Sequence, residues 1–239
     1  MGDRIRIFVG TSGWAYGWNG GRSLSWYVKN SGLNAIELNM SFYRFPSERQ
    51  VDDWARTGAG LDWTVKVHRS VTHVHLLNEK GREIFSRFRE RLRPLGPRIS
   101  YFLFQLPPRF DVSFADRIHA LSREYDDREM ALEFRHPSWD AFDFRRYRFR
   151  GAVVSPDSPD SSGAVSAENG RVYLRFHGRT AWYAGSYTDE ELSAVLRKAE
   201  ALSPRKIHAF FNNDHGMLEN ARSFRRLAGE ITEPERQGP

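Results

Sequence analysis

The sequence predicts an α/β fold, a single TIM-type (β/α)8 barrel with an irregular connection between strands six and seven. Three observations carry that prediction. Eight short apolar runs alternate, for the most part, with amphipathic stretches of helical spacing, and such alternation gives a parallel sheet. The runs end at one side in polar and charged residues, the side on which barrel enzymes place their chemistry. The length, 239 residues, lies near the roughly 250 typical of one barrel. A doubly wound open sheet is the competing arrangement. It calls for a glycine-rich dinucleotide turn after strand one, and Gly10-Thr-Ser-Gly13 is not that fingerprint.

Ile5–Val9 reads as the first strand, followed by a hydroxyl-rich turn and Trp14, Tyr16 and Trp18. A short helix spans about 23–30. Asn34–Leu38 is strand two. Ser47 with Gln50 three residues on is a capping box opening a helix that carries Val51 and Trp54 on one face. Asp62–Val67 is strand three, and residues 79–93 place Ile84, Phe85, Phe88 and Leu92 at helical spacing before Pro94 and Pro97 close the helix. Ile99–Phe104 is strand four, 113–122 a helix, and Glu129–Phe134 strand five. Asp140–Phe149 is expected to be helical. Strand six is Gly151–Val154, ending at Ser155-Pro-Asp157.

Residues 156–171 break the rhythm, being rich in Ser, Pro, Asp and Gly. Asn169-Gly170 signals a hairpin pairing Ala164–Ala167 with Arg171–Tyr173. Val172–Phe176 is strand seven. Thr188 with Glu191 caps a helix to about Leu202, Lys206–Phe211 is strand eight, and 217–228 is the last helix. The expected organisation is one domain over 1–232 and a frayed polar tail at 233–239.

Composition narrows the classes of function. Cysteine is absent, which removes disulfides, thiolate nucleophiles and Cys-ligated metal sites and points to the cytoplasm. No apolar run is long enough to span a membrane, and the N-terminus shows no signal-peptide core. The net charge is +6, with 31 arginines against five lysines. That balance favours anionic partners, although a solvated arginine-rich surface is the preferred explanation, because charge at this level speaks to solubility and nonspecific binding.

The polar strand ends form the candidate site. Strand two supplies Glu37 and Asn39, strand three Lys66 and His68, strand four Gln105, and strand five Glu133, Arg135 and His136. Strand six supplies Asp157, strand seven Arg175 and His177, and strand eight Asn212, Asn213 and Asp214. Spacing of i, i+2 turns both members of a pair to the same face of a strand. Buried charges without partners cost several kcal/mol each, so the group is either a structural ion network or a functional site. Trp14, Tyr43 and Trp139 stand among the loop aromatics that could wall it. Glu37, Glu133, Asp157, Asp214 and the clustered histidines hold enough ligand atoms for a divalent metal. They lack a compact ligand motif, and Lys66, Arg135 and Arg175 repel a cation, so a metal is not the favoured reading.

Gly10-Thr-Ser-Gly-Trp14, Glu37-x-Asn39 with Phe42-Tyr43, Gln105-Leu-Pro-Pro108, Glu133-x-Arg135-His136-Pro-x-Trp139, Arg175-x-His177-Gly178 and Phe211-Asn-Asn-Asp214 resemble, in order, the YecE-like family, domain-of-unknown-function family 72. The resemblance runs from about residue 7 to 227. It implies a TIM-type barrel with a polar site at its mouth, but no reaction. By fold analogy alone, that barrel is similar to metal-dependent sugar isomerases and to barrel endonucleases that cut at abasic sites.

The expected function is therefore an enzyme acting on a phosphate- or sugar-phosphate-containing anion at the C-terminal mouth, with hydrolase, isomerase and lyase chemistry all open. Glu133 is the expected base and His177 the acid or base, with Glu37 and Lys66 also catalytic. Arg135 and Arg175 would grip the anion, with Trp14, Asn39, Tyr43, Gln105, His136, Trp139, Asn212, Asn213 and Asp214 contacting substrate. The alternatives are a nucleic-acid-binding protein, which the basic stretch Phe144–Arg150 would serve, and a non-catalytic ligand-binding barrel.

Overall fold

The structure is a computed structural model that describes residues 5–161 and 163–229; the tail expected at 233–239 lies outside the described residues. The fold is an α/β (β/α)8 barrel of eight parallel strands with helices between them. In chain order the elements are β1 (Arg6–Thr11), α1 (Leu24–Asn30), β2 (Ala35–Leu38), α2 (Glu48–Thr57), β3 (Asp62–Lys66), α3 (Glu79–Arg91), β4 (Ile99–Gln105) and α4 (Ala115–Glu124). Then come β5 (Met130–Glu133), β6 (Ala152–Asp157), β7 (Arg171–Phe176), α5 (Asp189–Ala201), β8 (Lys206–Phe211) and α6 (Met217–Leu227).

The described residues divide into two compact units, one of residues 5–35, 155–161 and 163–229, the other Ile36–Val154. In the first, β1, β8 and β7 lie side by side. Arg6 to Thr11 pair in register with Lys206 to Phe211, and Arg171 to Phe176 pair with the same six residues. Strand ends that stop in step present their following residues in step, which is how His177 and Asn212 emerge together. The Asn212 N–H donates to the Phe176 carbonyl at 2.8 Å. The amide of Asn34 accepts from Val9 N at 2.8 Å and donates to Ile7 O at 2.9 Å, so one side chain binds β1 as a strand would. Phe176 stacks on Phe211 at 4.4 Å, and Phe224 of α6 closes over both at 5.6 and 6.0 Å. Each such fully buried ring contributes about 1.5–3 kcal/mol of transfer free energy.

In the second unit β4 pairs with β3 and β5, and β5 with β6, so that Gln105 lies opposite Glu133 and Ala131 opposite Ala152. Phe85 of α3 packs on Phe102 and Phe104 of β4 at 5.3 and 5.0 Å. Local chemistry starts the helices where the sequence places them. Both capping boxes form, Ser47 with Gln50 on α2 and Thr188 with Glu191 on α5, and the Asn78 side chain accepts from Gly81 N at the start of α3.

Two local expectations change. The helix expected over Asp140–Phe149 is instead a short 3₁₀ turn, Phe144–Tyr147. Its apolar residues at 142, 144 and 149 lack helical spacing, and Arg148 is left-handed at φ 51°. Phe142, Phe144 and Phe149 instead fold into one aromatic cluster. The Asn169-Gly170 turn forms, with both residues left-handed at φ 55° and 71°, as a two-residue hairpin turn requires. Its pairing, however, stops at a single antiparallel bridge between Glu168 and Arg171. The connection between β6 and β7 has no helix among the described residues.

Candidate functional site

The polar strand ends are described unit by unit. On β7 of the first unit, Arg175 and His177 are two residues apart and both are completely buried. A strand's alternation turns them to one face, and Arg175 Nη1 lies 3.4 Å from His177 Nε2. The other ring nitrogen, Nδ1, is 3.3 Å from the Asn212 amide nitrogen. The ring also faces Trp182 and Tyr183 at 5.4 and 5.5 Å; Arg175 and the Asn212 amide both offer N–H groups, so a neutral imidazole accepts from one of them and not from both. This is the chemistry of a positioned proton carrier beside a fixed cation.

The loop after β7 is tied down by residues that strand-end reasoning did not single out. Arg179 grips Asp157 with two bonds of 2.9 Å and reaches Glu191 with a third at 3.0 Å. The Tyr187 hydroxyl donates to Asp157 Oδ1 at 3.0 Å and accepts from Gly178 N at 2.9 Å. Gly163 N donates to Asp157 Oδ2 at 2.8 Å. Asp157 thus serves as a buried structural clasp. The paired carboxylates hold the Arg179 guanidinium well above its usual pKa range, while burial and Asp157 push the Tyr187 phenol up. Asn213 donates to Gly185 O and Asn220 Oδ1, both at 2.8 Å, and its own buried Oδ1 has no partner among the described residues. Asp214 is half-exposed in a left-handed turn, and Trp14 is buried. Arg179 continues the alternation of Arg175 and His177, and this was the one signal in the sequence that could have found it.

In the second unit Glu37 and Glu133 are completely buried and Lys66 nearly so. Arg135 forms an ion pair with Glu133 through Nη2. Gln105, half-buried, is the β4 partner of Glu133. Lys66 ends β3 with its ammonium 4.3 Å over the Phe42 ring, and its carbonyl accepts from the Ser41 hydroxyl at 2.6 Å. Asn39 has a buried Oδ1 without a partner among the described residues, and Tyr43 is 68% exposed. His136 caps the turn Pro137–Trp139, accepting from Ser138 N at 3.2 Å through Nδ1. Trp139 is buried, stacks on Phe134 at 4.1 Å and donates to Phe110 O at 2.7 Å. Its contacts are those of a core residue.

The turn after β3 is irregular. Ser70–Val74 form a π-helical turn, and Leu76 and Leu77 are both left-handed. His73 lies edge-on to Phe42 at 5.0 Å. Burial, and then Lys66, Arg69 and Arg109, bring its pKa down to about 4. His68 is also lowered, chiefly by burial. Among the described residues no three His, Asp or Glu side chains gather in an arrangement that could hold a metal ion. No helix among them is long and apolar enough to cross a membrane.

Comparison with known proteins places this geometry in a family. The model described as "Protein of unknown function DUF72" matches residues 8–238, and the chain belongs to that family, the YecE-like proteins. It is similar to a DUF72 family protein of Thermotoga maritima at 27% identity, covering 94% of this chain and 99% of that one with a TM-score of 0.76. It is also similar to a DUF72 family protein of Enterococcus faecalis at 20% identity, covering 96% and 100% with a TM-score of 0.74. A D-psicose 3-epimerase of Clostridium cellulolyticum shares the fold at 11% identity, covering 96% and 93% with a TM-score of 0.51. No curated protein matches the sequence.

Proposed function

We propose that this protein is an enzyme acting on an anionic substrate, a phosphate ester or sugar phosphate, at the C-terminal strand ends. The observation that carries the reading is the completely buried Arg175–His177 pair, with Asn212 at the second ring nitrogen. Burying a guanidinium is expensive, and a fixed guanidinium beside an imidazole suits an anion whose proton inventory changes during reaction. In this reading Arg175 holds the anion and His177 exchanges the proton, with Asn212 fixing the ring. The second unit, read by itself, offers Glu133 as a base and its ion-pair partner Arg135 as an anion grip, with Glu37, Lys66 and Asn39 as orienting groups. The shared fold of the epimerase supports the barrel, not the reaction.

A screen of phosphate esters and sugar phosphates against purified protein, repeated with Glu133→Gln and His177→Gln, tests this. Both variants are expected to keep the wild-type circular dichroism spectrum and to lose activity by at least about a hundredfold. Turnover retained by both would overturn the assignment. The nucleic-acid alternative loses one support. The aromatic residues of Phe144–Arg150 pack on Trp139 and one another, and Arg150 is bonded to Asp127.

A further inference from the structure

The turn after β3 is built unlike the rest of the second unit. A π-helical turn costs good hydrogen-bond geometry, and such turns gather at functional sites. Two consecutive left-handed leucines, Leu76 at φ 48° and Leu77 at φ 58°, add backbone strain that the surroundings must hold in place. Arginines do the holding. Arg109 donates to His73 O, Arg117 to Leu76 O at 2.9 Å, and Arg82 to Leu77 O at 3.4 Å. Arg82 is also paired with Glu124, but a carbonyl satisfies Arg109 and Arg117 without neutralising their charge, so the turn keeps two cations.

Among the described residues neither Arg69 nor Arg109 is in an ion pair, and both are exposed. Both bear on the half-buried His73 ring together with Lys66, and after burial these three charges are what lowers its pKa. His68, next to Arg69, accepts from Ser70 N at 3.2 Å through Nδ1. Tyr43 meets Phe42 edge-on at 4.9 Å, and Phe42 meets His73 in the same way at 5.0 Å. One exposed aromatic ring is thus joined through Phe42 to His73, the residue on which two arginines that no carboxylate engages both act.

We propose that this turn is a subsite for a phosphomonoester attached to a flat ring, the phosphate between Arg69 and Arg109 and the ring laid on Tyr43. It rests on the reading that the chain handles a phosphate-bearing substrate, and it names the substrate class as nucleotide-like. Guanidinium groups bind phosphate through paired donors, and an exposed tyrosine stacks on any planar base.

Calorimetric titration with adenosine 5′-monophosphate, ribose 5-phosphate and adenosine tests it. The monophosphate should bind at least tenfold more tightly than either fragment, and its binding should raise the His73 pKa read by NMR. Arg69→Ala, which removes no side-chain hydrogen bond or ion pair among the described residues, should weaken it about tenfold or more. Tyr43→Ala should reduce its affinity to that of ribose 5-phosphate. Equal binding of the monophosphate and ribose 5-phosphate, unchanged affinity in Arg69→Ala, or an unmoved His73 would overturn the subsite. Monophosphate binding that persists in Glu133→Gln while that variant keeps full turnover on screened substrates would overturn the catalytic assignment and leave the subsite standing.

Discussion

The loop after β7 and the turn after β3 are both irregular, and both use arginine to fix their shape. They differ in what the arginine meets. Arg179 meets two carboxylates, Asp157 and Glu191, and its charge is consumed in a closed network with Tyr187. Arg109 and Arg117 meet carbonyl oxygens, and their charge remains. The first arrangement makes a rigid loop over His177. The second makes a strained turn with a surplus of positive potential. An arginine's role thus follows from the formal charge of its acceptor, more than from its burial alone.

Removing a carboxylate from the closed network is the severest way to break this contrast. Asp157→Ala leaves Arg179, Tyr187 and Gly163 without their acceptor and is expected to cost about 3–5 kcal/mol in urea unfolding. A loss below about 1 kcal/mol would show that the network is not what fixes the loop. Gly178→Ala comes next. At φ +92° a side chain is strained, and a Cβ there would stand 2.0 Å from the Ala184 carbonyl oxygen. The expected cost is about 2–4 kcal/mol, read as a fall in Tm. Thr188→Ala removes the cap whose partner, Glu191, also holds Arg179, and should cost about 1 kcal/mol. It should add non-additively to Arg179→Ala, because both act through Glu191.

The last test reads a pH dependence and belongs to the β3 turn. Burial, then its cationic neighbours, lower the His73 pKa from 6.5 to about 4, so the unfolded chain binds that proton more readily than the folded one. Stability from this group is complete above about pH 6.5 and declines as pH falls towards 4. Urea midpoints measured across that window should decline less in His73→Asn than in the wild type. Equal slopes would mean that neither burial nor the cations hold this ring's pKa down in the folded state.

Much of this architecture was legible because its causes are local. A capping box such as Ser47/Gln50 is four residues long, and the i, i+2 pattern of Glu133/Arg135 or Arg175/His177 follows from the strand itself. The contacts that decide a residue's task come from farther away. Asp157 offers a carboxylate in the sequence, and only the fold brings Arg179 to it, 22 residues on. Trp139 was expected at a pocket wall, but its neighbours Phe110, Phe134 and Phe144 make it a core residue. The missing helix at 140–149 has the same origin, since the aromatic cluster outweighs weak helical propensity. No periodicity announces a π-helical turn, and Arg109 gained significance only once its contact with His73 was known.

The pairing of β1 with β8 also sets a timetable for biosynthesis. The first strand leaves the ribosome about 200 residues before its register partner, which is about 10–40 s at ordinary elongation rates. Ile36–Val154 is continuous in the chain and is synthesised whole within that interval, while residues 6–11 wait for Lys206–Phe211. Premature termination before Lys206 would leave β1 without the strand it pairs with. The Asn34 amide, made within the first seconds, would then be a strand-like contact that β1 has from its own unit before the last strand arrives.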